Sequence, residues 1–423
     1  MPVLGGIADD FTGATDLATN LVARGLRTVV TLGVPSGEDL PADVDAVVIA
    51  VKTRTAEVTE AVTTARAALR ALRELGCERI YDKYCSTFDS TPQGNIGPVV
   101  DALLADLDAP GTVIVPAFPD TERTVYQGRL FVGSELLDDS SMRHHPLTPM
   151  TESRVRLLLE PQTRHAVGEV FHQVVRRGPA ALRAALDAEF AAGRPLVVVD
   201  AIDDDDLRTI AEATRDLPLI TGGSGLALGL AQADRAGEPA RQAALIPVVD
   251  GHRAVLAGSA SAATRAQVAH ARDRLPWWKL NLSALRADLD AEVAAVVEWA
   301  RARWAEDALR PVLVYAVDSL ADVEPPPSDG GEPASVLVER ALGRCATLFA
   351  EHGMGRLVVA GGETSGTVLT ALEVTRLRLG APLSPGVSWA AGTTRAGAVV
   401  NLALKSGNFG DEDIFTSSWE RLA

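Results

Sequence analysis

The chain has 423 residues, 47% of them hydrophobic, and a formal net charge of −16. That length exceeds one ordinary core, so two or three domains are expected. The charge argues against a nucleic-acid partner, which needs a basic face, but leaves room for a local basic pocket that holds a small anion. No apolar run approaches the ~20 residues of a membrane span, so no membrane partner is expected. Residues 1–10 carry no basic segment and read as a buried strand rather than a signal peptide. Cys77, Cys85 and Cys345 are too few and too scattered for a disulfide framework or a zinc site, which points to the cytoplasm.

In chain order, residues 3–8 read as an apolar strand and Thr12 to Arg24 as a helix. Val29–Leu32 and Ala46–Val51 are short and β-branched, Glu57–Leu75 has helical spacing, and Arg79–Tyr84 reads as a strand. Thr112–Pro116, Leu196–Asp200 and Leu217–Thr221 continue the strand series. Asp203 to Asp206 reads as a solvated helix start, since acids favour that end. A polar stretch, Gln232–Gln242, marks the domain boundary, giving domains at 1–235 and 250–423. A second series follows: strands at Arg253–Ala257, Val312–Ala316 and Leu357–Ala360, with helices at Thr264–Arg274, Leu285–Trp304, Ser335–Glu351 and Ser365–Val374. Glu324–Gly331 reads as a surface loop. Short strands alternating with longer helices predict an α/β fold: two domains, each built on a mostly parallel sheet, with a cleft between them.

Four segments run from an apolar stretch through a Gly/Ser/Thr/Asp-rich turn into a helical pattern. They begin at Gly6, Thr221, Gly258 and Gly361. A strand-end loop opening a helix exposes backbone N–H groups and a positive dipole end, where an anion can sit. Two such loops in each half suggest a site that brings two anionic ligands together, as in a small-molecule kinase. The P-loop is excluded, because no Gly-Lys dipeptide occurs. No dinucleotide fingerprint and no clustered metal motif is found.

Asp9 and Asp10 follow the first strand, where an open α/β sheet binds its ligands. One can take a proton while the other orients substrate or metal; Asp10 is the expected base and Asp9 the orienting group, with the reverse assignment open. Only four lysines occur in an arginine-rich chain, and Lys83 stands ahead of Asp89-Ser90-Thr91. That mix suits a polyhydroxylated acid: Lys83 for the carboxylate, Asp89 and Ser90 for hydroxyls. Arg123, in the loop from Pro116, offers a bidentate clamp for the same carboxylate. Met142 to Pro146 contains His144 and His145, but adjacent histidines point apart, so no metal is expected there. In the second half, Gly361-Gly362-Glu363-Thr364 reads as a nucleotide-phosphate cradle. Ser259 and Gly407, in two further Gly/Ser loops, are expected beside it.

These motifs together resemble the four-carbon acid sugar kinase family across nearly the whole chain. The marks are Ile7 to Ala14, Asp89-Ser90-Thr91 with Gly94 to Gly97, Pro116 to Pro119 with Arg123-Thr124, Gly361 to Gly366, and Lys405 to Gly410. The resemblance implies a sugar-acid-binding domain followed by a nucleotide-binding domain. It implies ATP, brought with Mg2+, and ATP contacts at Ser259, Gly361 to Thr364 and Gly407. Lys83 to Thr91, Met142 to Pro146 and Pro149 to Ser153 look most like members that phosphorylate the 4-hydroxyl of a four-carbon 3-oxo acid. Gln93 replaces the family's usual basic residue, and Thr87-Phe88 replaces its usual lysine ahead of the aspartate. Charge recognition then passes to Lys83, and the sibling substrates erythronate and threonate stay open. So does homo-oligomerisation. A sensor without turnover is the competing class, and the intact acids Asp9, Asp10 and Asp89 argue against it.

Overall fold

The computed structural model describes residues 3–35, 40, 43–144, 148–230, 238–325 and 331–422. His145 and Pro146, residues 232–237 of the boundary stretch and residues 326–330 lie outside them. The chain divides into two compact units, Met1–Ala243 and Ala244–Ala423.

The first unit carries strands β1 (Leu4–Ala8), β2 (Thr28–Leu32), β3 (Ala46–Ala50), β4 (Arg79–Lys83), β5 (Thr112–Val115), β6 (Arg123–Tyr126), β7 (Arg129–Val132), β8 (Glu135–Leu136), β9 (Val167–Val170), β10 (Leu196–Val199) and β11 (Leu219–Gly222). Its helices are α1 (Phe11–Ala23), α2 (Val58–Glu74), α3 (Ile96–Asp106), α4 (Val155–Leu159), α5 (His172–Val175), α6 (Pro179–Ala191), α7 (Asp204–Ala213) and α8 (Glu238–Ala243). Eight strands form a parallel array in the order β2-β3-β1-β4-β11-β5-β10-β9. Strands such as Ala46-Val47-Val48-Ile49-Ala50 are buried along their whole length. An apolar run without alternation is what helices on both faces demand.

The second unit carries β12 (His252–Ala257), β13 (Trp277–Lys279), β14 (Val312–Tyr315), β15 (Met354–Ala360), β16 (Val374–Ser384), β17 (Val387–Thr394) and β18 (Val399–Lys405). Its helices are α9 (Ala262–Arg272), α10 (Leu282–Ala287), α11 (Leu289–Glu306), α12 (Ala334–Glu351), α13 (Gly362–Ala371) and α14 (Ile414–Ser417). The order β13-β14-β12-β15-β18 is parallel, and β17 and β16 extend it antiparallel. Its core gathers Val255, Val358, Trp389, Phe415 and Trp419.

Several local expectations change. The helix expected over 285–304 is two helices, because Asp288 takes an extended backbone and caps the second through Ala291 N–H. The helix expected to reach Val374 ends at Ala371, and Val374 starts a strand. Strands β16 and β17 were not foreseen. Nor was the small antiparallel sheet β6-β7-β8, whose strands are short and mostly half-exposed. The acidic run at 203–206 does start α7, with Asp203 capping it. Asp206, however, is buried: it accepts from Ile202 N–H and lies 3.2 Å from His172 Nε2.

One buried carboxylate organises the far end of this unit. Asp200 accepts N–H groups of Gln127, Gly128 and His172 at 2.8, 2.9 and 2.9 Å. It thereby ties the β6–β7 turn and the start of α5 to the end of β10. Asp200→Ala would orphan three donors, so it should lower the unfolding free energy by roughly 2–4 kcal/mol. Urea titration is the check.

Candidate active site

Three adjacent parallel strands end together in the first unit. Ala8 of β1 faces Ala50 of β3 on one side and Lys83 of β4 on the other. Asp9 and Asp10 follow β1, Lys52 to Arg54 follow β3, and Lys83 closes β4. The backbone locks this edge: Asp9 N–H donates to the Lys83 carbonyl, while Thr53 and Arg54 N–H donate to the Asp9 carbonyl. Asn95 Nδ2 pins the Arg54 loop through the carbonyls of Thr53 and Ala56, at 2.7 and 3.0 Å.

The side chains form a compact charge cluster. Arg54 grips Asp9 in bidentate fashion, Nε to Oδ2 at 2.7 Å and Nη2 to Oδ1 at 2.8 Å. The same Nη2 lies 2.8 Å from Asp10 Oδ1. Lys83 Nζ lies 3.5 Å from Oδ1 of both acids. Asp10 also caps α1, accepting Gly13 N–H at 2.8 Å. Each described partner of Asp10 meets Oδ1, whereas both oxygens of Asp9 are taken. Burial opposes charge on Asp9, but Arg54 and then Lys83 outweigh it and hold the carboxyl below its usual range. Burial likewise disfavours the Lys83 ammonium, and Asp10 and Asp9 reverse that, raising its pKa. In the same strand, burial first and the charge of Asp9 second push the Asp82 carboxyl up to about 8.

The other expected residues sit on neighbouring strand-end loops. Asp89 Oδ1 accepts the Thr87 hydroxyl at 2.6 Å. Ser90 is buried and donates to Gln162 Oε1 at 3.1 Å. Arg123 starts β6 and donates to the Thr121 carbonyl, while its Nε is buried with no hydrogen-bond partner among the described residues. The Thr221 to Gly225 segment is not an open anion cradle. It is buried, with the Ser224 hydroxyl on Asp16 and the Ser224 carbonyl taking Asn20 Nδ2 at 2.9 Å. Lys83 also differs from expectation: it is buried and faces the chain's own acids. Arg54 escaped the sequence reading altogether, although Lys52-Thr53-Arg54 after a buried strand was a usable signal.

The second unit repeats the plan. Ala257 of β12, Ala360 of β15 and Lys405 of β18 are in register, and each is followed by one expected loop. Gly361 has φ +129°, a conformation that favours glycine, and Gly362 opens α13. The loops interlock: a Cβ on Gly407 would lie 2.4 Å from Ser259 Oγ. The Gly407 carbonyl accepts Ser261 Oγ, Thr264 Oγ1 and Lys405 Nζ at 2.6, 2.8 and 3.0 Å. Lys405 is fully buried, and its other described partner is Thr264 Oγ1 at 2.9 Å. Burial lowers its pKa to about 7. Among the described residues no group of three or more His, Cys, Asp or Glu could hold a metal ion.

The comparisons with known proteins match this layout. A family model described as a sugar-binding N-terminal domain matches residues 4–230, and one described as a nucleotide-binding C-terminal domain matches residues 254–415. A curated 3-oxo-tetronate kinase of Pseudomonas fluorescens is 48% identical, covering 100% of this chain and 97% of the relative. A 3-oxo-tetronate kinase of Escherichia coli is 45% identical, covering 90% and 98%. A solved structure of a Salmonella typhimurium protein aligns with TM-score 0.89 and 42% identity, covering 99% of each chain. Haemophilus influenzae protein HI1011 aligns with TM-score 0.81 and 36% identity, covering 99% and 100%. A sugar-binding unit followed by a nucleotide-binding unit defines a sugar kinase. The chain belongs to the four-carbon acid sugar kinase family.

Two predictions follow from this geometry. A Cβ on Gly13 would lie 1.8 Å from Lys83 Nζ and 2.2 Å from Asp10 Oδ1. Gly13→Ala should therefore abolish most activity while the far-ultraviolet circular dichroism stays native. The second concerns Lys405. Its folded pKa lies below the unfolded value, so the unfolded chain binds more protons between about pH 7 and 10, and stability rises with pH across that window. Relative to Lys405→Met, the native chain should gain roughly a few kcal/mol from pH 7 to 10 in urea titrations.

Proposed function

We infer that the chain transfers the terminal phosphoryl group of ATP to the 4-hydroxyl of 3-oxo-tetronate. Full-length similarity to relatives named 3-oxo-tetronate kinase supports the substrate. One observation carries the chemistry: an acid pair at a strand end whose two charges are balanced by Arg54 and Lys83, with no described hydrogen bond on Oδ2 of Asp10. Asp10 is the base in this reading. It is partly exposed, and its Oδ2 can accept the 4-hydroxyl proton as the phosphoryl group arrives. Asp9 is spent on Arg54 and serves to position it. Phosphoryl transfer asks little more of the protein than alignment and charge neutralisation.

Lys83 sets the orientation of the pair and adds positive potential toward the substrate carboxylate. Arg123, with an unsatisfied Nε, is the direct carboxylate partner. Asp89 and Ser90 take substrate hydroxyls, since both keep acceptor lone pairs. ATP lies on Ser259, Gly361, Gly362, Glu363, Thr364 and Gly407, with backbone N–H groups toward its phosphates. Mg2+ enters with ATP as part of the nucleotide substrate. The reaction is placed in the cytoplasm, where ATP is available.

A kinase assay over four-carbon acids tests the substrate: 3-oxo-tetronate should have the highest kcat/KM, and a wild-type chain inactive on it would end this reading. Asp10→Asn should lower kcat on the order of 10²–10⁴ with little change in KM. Asp9→Asn should cost less in kcat. The reverse order would exchange their roles.

A further inference from the structure

A buried amide stands behind the loop that carries Asp89 and Ser90. Gln162 ends the 3-10 turn Glu160–Gln162, which follows α4. Its Nε2 donates to the Leu158 carbonyl at 2.9 Å. Its Oε1 accepts the Ser90 hydroxyl at 3.1 Å and the Gly97 N–H at 3.4 Å. Two glycines make way for it. A Cβ on Gly97 would lie 2.7 Å from Gln162 Cβ, and one on Gly94 would lie 1.9 Å from Ser90 Oγ and 3.0 Å from Gln162 Oε1.

The direction of these hydrogen bonds is forced. A carbonyl can only accept, so the amide nitrogen must face Leu158. A backbone N–H can only donate, so the amide oxygen must face Gly97. Both conditions select the same orientation of the amide. The Ser90 hydroxyl therefore commits its single proton to Gln162, and lone pairs are what it keeps for a ligand.

Asp89 beside it has the same polarity. Its Oδ1 accepts the Thr87 hydroxyl at 2.6 Å, and Cys85 Sγ lies 2.9 Å from Thr87 Oγ1. With the Thr87 proton on Asp89, the thiol donates to Thr87. The Asp89 and Ser90 side chains thus form a wall of acceptors. The charges of Asp89, Arg54 and Lys83 all act on the Cys85 thiol, so this wall adjoins the acid pair and its cations.

A four-carbon 3-oxo acid has three oxygens besides its carboxylate. In the kinase reading above, the 4-hydroxyl gives its proton to Asp10, and the 3-oxo group carries none. The 2-hydroxyl is the one donor left for a wall of acceptors. We propose that Gln162 is a positioning residue that sets substrate selection at C2. By holding the proton of Ser90, it makes Ser90 an acceptor for the 2-hydroxyl. A group at C2 that has lone pairs and no proton is turned away, because its electron pairs would face those of Ser90. The proposal rests on the kinase reading, and Gln162 acts through Ser90.

Gln162→Met keeps the length of the side chain and removes the amide. The next residues hold the backbone independently, since Thr163 Oγ1 and Arg164 N–H donate to Asp101 at 2.7 and 3.2 Å. In the full chain, kcat and KM would be measured for 3-oxo-tetronate and for its 2-fluoro analogue, which is similar in size and lacks the proton. The native chain should prefer the hydroxyl by about tenfold or more in kcat/KM. Gln162→Met frees the Ser90 proton to turn toward fluorine, so that preference should fall about fivefold or more, through KM, with kcat for 3-oxo-tetronate little changed. Ser90→Ala should lose the preference to a similar extent, and adding Gln162→Met to it should lower it no further. A purely structural Gln162 would instead lose activity on both acids in proportion. Should thermal melting show that Gln162→Met fails to fold, Gln162→Asn, which draws the amide back by one methylene, takes its place with the same fall in preference. An unchanged preference in the folded Gln162 variant, or a full preference kept by Ser90→Ala, would overturn the proposal. A native chain inactive on 3-oxo-tetronate would instead overturn the kinase reading.

Discussion

Charge balance at the end of β1 is the constraint on which the first unit depends. Two neighbouring carboxylates on a partly buried edge repel each other and lose solvation. Arg54 and Lys83 supply two positive charges within 3.5 Å or less. Both cations come from the adjacent parallel strands, so the cluster needs β3 and β4 to flank β1. The topology thus serves the electrostatics directly. Asn95 and Gly13 are secondary requirements of the same arrangement: one anchors the Arg54 loop, the other leaves room for Lys83.

The second unit solves a different problem with the same sheet edge. Its three loops offer backbone N–H groups and hydroxyls, and Lys405 is buried among neutral acceptors. A lysine in that setting gives up its proton near neutrality. A phosphate brought close would favour the charged form again. Under the proposed function, anion binding here would be shared between fixed dipoles and a titratable group, whereas the first unit sets paired charges against each other.

In the proposed reading the two edges divide the labour of a kinase. A proton acceptor must stay available, and in the proposed role Asp10 does so because its described partners meet one oxygen. A nucleotide cradle must present many weak donors at close range, and small residues at the ends of β12, β15 and β18 allow that approach.

The order of strands and helices, the two-part α/β plan and most strand-end loops were legible in the sequence. Buried parallel strands are continuous apolar runs, and the residues after them are marked by glycine, serine and acid. Asp9, Asp10, Gly361 to Thr364 and Gly407 stood out for that reason. The tertiary structure decided which loops meet. Arg54 is 45 residues from Asp9 along the chain, and only the β1–β3 pairing brings them together. It also decided which glycine-rich turns stay open. Thr221 to Gly225 has the composition of a cradle but is consumed by packing on α1, while Gly361 to Thr364 begins a helix at the sheet edge. Composition specifies what a loop can bind; burial and neighbours, set by contacts distant in sequence, specify whether it is free to bind it.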